Sequence, residues 1–118
     1  MQKNMYDLTN PQKSIWYTEE FFKGTPIENI TGSVIIPEKV NFSLLAEAIN
    51  IFVSKSDSFR LKFFIEKNQV KQYVETYTKF DVEIIDVLSD DELRNVEKTI
   101  VSTAFDILNS FLFNFKLV

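Results

Sequence analysis

Arg60 is the residue whose type and position carry the clearest chemistry. It is one of only two arginines in the chain, and the other, Arg94, falls on an ordinary helix surface. Arg60 stands between Phe59 and Leu61, where a helical pattern gives way to a strand pattern. A guanidinium flanked in this way is expected to be partly buried, and a buried cation needs a carboxylate. Asp57 is the local candidate; a carboxylate outside this chain is the other. A structural ion pair is favoured over a catalytic role. The other candidates carry less. Glu19/Glu20 and Asp90/Asp91 are adjacent in sequence, and neighbouring helical residues point about 100° apart, so neither pair converges on one substrate. Solvated helix charge and dipole complement account for both pairs. Trp16 with Tyr17, Phe21 and Phe22 could form a stacking surface, although a helix packed on a sheet explains the same cluster. Serine and threonine are plentiful, but no base is at hand to activate one.

The absent residue types exclude whole classes of chemistry. With no cysteine, disulfides, thiolate nucleophiles and sulfur-bound zinc are ruled out. With no histidine, this chain alone can build neither an imidazole base, nor a Ser-His-Asp triad, nor an imidazole metal site. Two glycines and three prolines leave no glycine-rich phosphate loop. The net charge of −4 lacks the basic footprint of a nucleic-acid binder. No run of about 18 apolar residues could cross a membrane, and Met1-Gln2-Lys3-Asn4-Met5 lacks the apolar core of a signal peptide. The expectation is a cytoplasmic protein with neither nucleic acid nor membrane as partner. At 118 residues, 45% hydrophobic and 25% charged, the chain fits one folded domain and is too small for two.

Three helices and about five strands are needed to position these residues. Thr9-x-x-Gln12 fits a capping box with Pro11 in the first turn, opening a helix that runs to about Phe22, with Gly24 as its stop. Asn29–Ile36 is β-rich and ends at Pro37. Asn41 caps a second helix, whose apolar stripe is Phe42, Leu45, Ile49, Phe52 and Val53, widened by Leu44, Ala48 and Ile51. Strands at Arg60–Ile65 and Val70–Tyr77, joined by Glu66-Lys67-Asn68-Gln69, form a hairpin, and Phe80–Val87 forms a further strand. Ser89-x-x-Glu92 is a second capping box, with Asp90 and Asp91 at the positive helix end; Leu93, Val96, Ile100 and Ala104 form that helix's buried face. In the last eight residues Phe111, Phe113, Phe115 and Leu117 alternate with Leu112, Asn114, Lys116 and Val118, a strand pattern. Termini are normally polar and frayed, so this ending reads as a chain cut from something longer; the alternative is a central strand that happens to end the protein. An unprotected Phe-rich edge also invites self-association through the C-terminal strand.

Tyr6-Asp7-Leu8-Thr9-Asn10-Pro11-Gln12-Lys13-Ser14-Ile15-Trp16-Tyr17 resembles the first core motif of nonribosomal peptide synthetase condensation domains, SxAQxRLWxL: Gln12, Ile15 and Trp16 match, Thr9 stands for the serine, and Pro11 and Ser14 depart from the pattern. Lys55-Ser56-Asp57-Ser58-Phe59-Arg60-Leu61-Lys62-Phe63 resembles the second, RHExLRTxF: Arg60 and Phe63 match, Lys55, Asp57 and Phe59 are conservative, and Ser56 and Leu61 differ. The stretch from Glu38 to Asn50 reads like the family's second helix. Gln72-Tyr73, Phe105-Asp106-Ile107 and the closing strand are also in its style, although Phe111 and Asn114 replace the usual proline and arginine.

The resemblance implies an α+β fold, a chloramphenicol-acetyltransferase-like half-domain with a mixed or antiparallel sheet and three helices packed on one side. Residues 1–118 would be the N-terminal part of such a domain, stopping before the family's HHxxxDG signature, whose aspartate pairs with the second-motif arginine, here Arg60. Arg60 and Asp57 would then be active-site scaffold, Gln12 and Trp16 structural residues of the first motif, and no residue of this chain catalytic or metal-binding. The parent enzyme would join an acyl or peptidyl thioester to an aminoacyl amine. Both substrates would ride on the phosphopantetheine of carrier proteins, with no cofactor bound here. The partners would be those carriers and the remainder of the domain. Two other readings stand beside this one: a stand-alone interaction module on the same half-fold, and an epimerisation domain or coenzyme-A-dependent acyltransferase of the same superfamily.

Overall fold

A computed structural model of the chain describes residues 3–118. In chain order the elements are β1 (Met5–Asp7), α1 (Asn10–Phe21), α2 (Phe42–Lys55), a 3-10 turn (Asp57–Arg60), β2 (Leu61–Glu66), β3 (Gln69–Val74), β4 (Glu83–Ile84), α3 (Asp90–Ser102) and β5 (Lys116–Leu117). The fold is α+β. β1, β3 and β2 form an antiparallel sheet with β3 in the middle, and β4 and β5 form a separate parallel pair.

Local chemistry sets most helix ends. Thr9 caps α1 through a complete capping box: its Oγ1 accepts from the Gln12 N–H at 3.4 Å, and Gln12 Oε1 accepts from the Thr9 N–H at 2.9 Å. Gly24, at φ 82°, takes the left-handed conformation that ends the segment after α1. Asn41 Oδ1 caps α2 by accepting from the Leu44 N–H. Ser89 caps α3, but the return bond of its box is displaced: Glu92 Oε2 accepts from the Leu88 N–H, one residue before the cap. The hairpin turn is tighter than the four residues expected. Lys67 and Asn68, at φ 47° and 62°, make a two-residue connection whose positive φ values match the twist of the flanking strands.

Several expected strands are shorter or missing. Asn29–Ile36 forms no strand and pairs with nothing among the described residues. Phe80–Val87 contributes only Glu83 and Ile84, and β3 ends at Val74, not at Tyr77. Of Phe111–Val118, only Lys116 and Leu117 pair, because the phenylalanines before them converge on an aromatic cluster and do not alternate across a sheet. Phe113 lies 5.8 Å from Phe59, 5.3 Å from Phe80 and 5.5 Å from Phe115, ring centre to ring centre. α3 ends before Ala104, and Leu93, Val96 and Ile100 on its inner face are only half-buried.

The apolar interior is thin. Leu8, Trp16, Val53 and Val82 are its buried hydrophobic residues. The accessible surface is 9194 Å², where a compact protein of this mass exposes about 6,600 Å². The radius of gyration is 16.5 Å, against about 13.5 Å for a compact chain of this length.

Polar stitches hold the layers instead. Asn50, buried on α2, grips the segment after β3: its Oδ1 accepts from the Tyr77 hydroxyl at 2.9 Å and from the Phe80 N–H at 3.0 Å, while its Nδ2 donates to the Phe80 carbonyl at 2.9 Å. Ion pairs fasten β1 to β3. Lys71 reaches Asp7 and Lys3 reaches Glu75, each at 2.6 Å, and Lys62 of β2 lies 3.5 Å from the same Glu75. The hydrogen bond from Lys3, helped by the Thr76 N–H, holds the Glu75 carboxyl below the ordinary glutamate range, and Lys71 does the same to Asp7.

Two outcomes follow. Replacing Asn50 by leucine strands the Tyr77 hydroxyl and both backbone groups of Phe80, and should cost about 2–4 kcal/mol in urea unfolding. Both carboxyls are lowered on folding, so their contribution is complete above the ordinary carboxylate values and is lost as pH falls through the depressed folded ones. The urea midpoint should therefore drop between pH 6 and the acid limb below about pH 4, and the drop should be smaller in the double variant Asp7→Asn, Glu75→Gln.

Candidate functional site

Arg60 ends the 3-10 turn that follows α2, and this placement turns its guanidinium back onto the helix. The last four carbonyls of a helix lack partners within it and carry its negative pole. Arg60 Nη1 donates to two of them, Val53 O at 2.8 Å and Ser54 O at 2.7 Å. Nε donates to the Glu75 carbonyl at 3.0 Å, just beyond β3, and the Glu75 N–H returns a bond to the Arg60 carbonyl at 2.8 Å. Nη2 donates to Asp57 Oδ1 at 2.8 Å. A guanidinium has five N–H donors; four are used here, and one on Nη2 remains. The Arg60 side chain is only 12% exposed, whereas that of Asp57 is 78% exposed. The charge is therefore balanced chiefly by carbonyl dipoles on its buried side, with Asp57 as a wet outer partner.

Gln12 and Trp16 meet the second motif on the sheet. They lie one helical turn apart on α1, on one face, and they face Gln72 and Phe63, which are directly opposite each other on β3 and β2. The two glutamines exchange amide hydrogen bonds: Gln12 Nε2 donates to Gln72 Oε1 at 2.7 Å, and Gln72 Nε2 donates to Gln12 Oε1 at 2.9 Å. Gln72 Nε2 also donates to the Asp7 carbonyl at 3.0 Å. Trp16, buried, meets Phe63 edge to face with centroids 6.3 Å apart. The seam thus joins β1, α1, β2 and β3, and across it Gln12 meets Gln72 and Trp16 meets Phe63.

Arg60 and Asp57 are in contact, and so are Gln12, Trp16, Gln72 and Phe63, but the two groups are separate. Asn50 and the Glu75 backbone were not legible as part of this framework. A single polar residue beside the apolar stripe of α2 was the available signal for Asn50; the Glu75 backbone gave none, because any residue offers a carbonyl. Among the described residues no group of three or more acidic side chains is placed to hold a metal ion. A groove of about 220 Å³, lined by Phe80, Asp81, Phe111, Phe113, Asn114 and Phe115, does not include Arg60. The arrangement positions backbone and presents one cationic donor. Among the described residues no helix is long and apolar enough to cross a membrane.

Arg60→Lys keeps the charge but loses the fork, leaving Ser54 O and Glu75 O without the donors they have here, while Val53 O keeps only the Ser56 N–H. It should cost about 2–4 kcal/mol in urea unfolding. Asp57→Asn should cost less than about 1 kcal/mol, because its carboxylate faces water.

Three comparisons place this framework among known proteins. A family model described as "Condensation domain" matches residues 2–118. Surfactin synthase subunit 1 of Bacillus subtilis (strain 168) is 32% identical over 93 residues, covering 76% of this chain and 3% of that protein. A plipastatin synthase subunit of the same organism is 30% identical over 122 residues, covering 100% of this chain and 5% of that protein. The crystal structure of the starter condensation domain of rhizomide synthetase, as a double mutant in complex with C8-CoA, superposes with a TM-score of 0.86 at 15% identity, over 96% of this chain and 27% of that one. The unmutated domain gives 0.72 at 17% identity, over 96% and 28%. The chain spans about a twentieth or less of the curated relatives it matches and about a quarter of the solved domains.

Proposed function

Because the chain belongs to the condensation-domain family, we propose that it forms the front portion of a domain that makes amide bonds in nonribosomal peptide synthesis. In this reading an acyl or peptidyl thioester, carried on phosphopantetheine, is attacked by the amine of a second carrier-bound aminoacyl group. The carrier proteins and the rest of the condensation domain are its partners, and the chain itself binds no cofactor.

One observation carries the role assigned to this portion: Arg60 is already fixed by the α2 carbonyls and by Glu75, yet keeps one N–H unspent. A guanidinium held this rigidly can orient a carboxylate brought to it without losing its own geometry. In the resemblance stated above, that carboxylate is the aspartate of HHxxxDG, which lies next to the reactive histidines. Arg60 is then a positioning residue acting through that aspartate. The 118 residues contain no histidine, so the proton handling that amide formation needs falls to residues contributed from elsewhere.

The purified chain, given carrier-bound donor and acceptor thioesters, should yield no amide above the uncatalysed background by mass spectrometry. Turnover by the chain alone would overturn the reading. In a condensation domain that includes this portion, Arg60→Ala should lower amide formation and Arg60→Lys should not restore it.

A further inference from the structure

The peptide unit between Glu75 and Thr76 is held from two sides. Its carbonyl accepts from Arg60 Nε at 3.0 Å, and its N–H donates to Glu75 Oε1 at 3.1 Å. A trans peptide is planar, with its C=O and N–H pointing in opposite directions, so the two bonds together fix the tilt of the plane. Oε1 is itself held. Lys3 Nζ donates to it at 2.6 Å, and the same ammonium lies 4.4 Å from the centre of the Tyr73 ring. Lys62 Nζ lies 3.5 Å from the other carboxylate oxygen. A chain of contacts thus runs from Lys3 through the Glu75 carboxylate and one peptide plane to the Arg60 side chain.

No regular element holds this stretch. β3 ends at Val74, opposite Leu61, and residues 75–80 belong to no helix or strand. The Glu75 N–H bonds the Arg60 carbonyl at 2.8 Å, but that bond lies on the preceding peptide plane. Without the carboxylate, the plane after it is free to turn and to swing its carbonyl off Nε. Arg60 would then keep the Val53 and Ser54 carbonyls through Nη1 alone and pivot about them, carrying its unspent Nη2 donor out of line. A planar fork orients a carboxylate only while more than one of its edges is fixed. The Lys71–Asp7 ion pair offers a contrast: it also joins β1 to β3 at 2.6 Å, but four residues earlier on β3, and it reaches no partner of Arg60.

Resting on the functional reading above, we propose that Glu75 is a positioning residue for amide formation: its carboxylate, drawn by Lys3, sets the peptide plane that aims Arg60 at the carboxylate supplied by the rest of the domain. Glu75 touches no reacting group; it acts through Arg60.

The chain has two arginines, Arg60 and Arg94, so nitrogen NMR of the isotope-labelled chain gives two Nε–H signals, with exposed Arg94 as the internal reference. Glu75→Ala should speed exchange of the Arg60 Nε–H about tenfold or more and leave Arg94 unchanged. Lys3→Met, at a half-exposed side chain that the fold does not need, should speed it about threefold or more. Lys71→Met should leave it unchanged. In a condensation domain that includes this portion, Glu75→Ala should lower kcat about tenfold or more with KM for the carrier-bound acceptor nearly unchanged, and Lys71→Met should leave kcat as it is. Unchanged exchange in Lys3→Met, or in a folded Glu75→Ala, would overturn the proposal. Equal acceleration in Lys71→Met would also overturn it, as general loosening of the sheet. Faster exchange with kcat unchanged in Glu75→Ala but lowered in Arg60→Ala would overturn the positioning role and leave the functional reading in place. An unchanged kcat in both variants would overturn the functional reading, and the positioning role with it.

Discussion

The Arg60 guanidinium is the interaction on which the rest of the architecture depends. The last carbonyls of a helix lie beyond its regular ladder, and an unsatisfied buried carbonyl costs about 1–3 kcal/mol. Arg60 serves two such carbonyls and a third from the strand side at once, and its positive charge sits at the negative pole of α2. It therefore fixes the angle at which the chain leaves the helix and enters β2, and it ties that corner to the end of β3. Lysine could offer the charge but not the planar fork that reaches three carbonyls from one side chain.

The same economy recurs elsewhere. Gln12 closes the capping box of α1 and then exchanges hydrogen bonds with Gln72, so one side chain both starts a helix and docks it. Asn50 holds the Tyr77–Phe80 segment against α2 through both its oxygen and its nitrogen. No buried side-chain nitrogen or oxygen among the described residues lacks a partner. Directional polar contacts thus specify the arrangement, while the apolar contribution is small: few hydrophobic side chains are fully buried, and large ones such as Phe21, Ile30 and Val34 lie open to water. Hydrophobic burial scales with the area removed from water, so a surface of this kind is one that further protein would cover favourably.

This balance fits the division of labour in the proposed domain. In that proposal this portion, which has no histidine, contributes a cationic donor and a sheet. The donor is held in place, because Arg60 is anchored by the Val53, Ser54 and Glu75 carbonyls. A carboxylate placed against it would meet a preformed geometry and not a mobile side chain.

Local rules made a good part of the molecule legible in the sequence. Thr9-x-x-Gln12, Asn41 and Ser89 mark the starts of all three helices, because capping depends on residues within one turn. The hairpin and the Arg60–Asp57 contact are equally local, separated by a few residues. The spacing of Gln12 and Trp16 carried the family resemblance but not what they touch. The misjudged elements are those whose state depends on distant chain. Asn29–Ile36 has the composition of a strand, yet a strand exists only where a partner offers its hydrogen bonds, and no described residue does. Phe111–Phe115 has the alternation of a strand, yet aromatic packing on Phe59 and Phe80 took precedence. The sequence by itself determined helix starts, the turn and the identity of the buried cation. Tertiary structure alone decided which carbonyls that cation satisfies, that Asn50 is a hub and which β-rich stretches pair, because those outcomes rest on contacts between residues far apart in the chain.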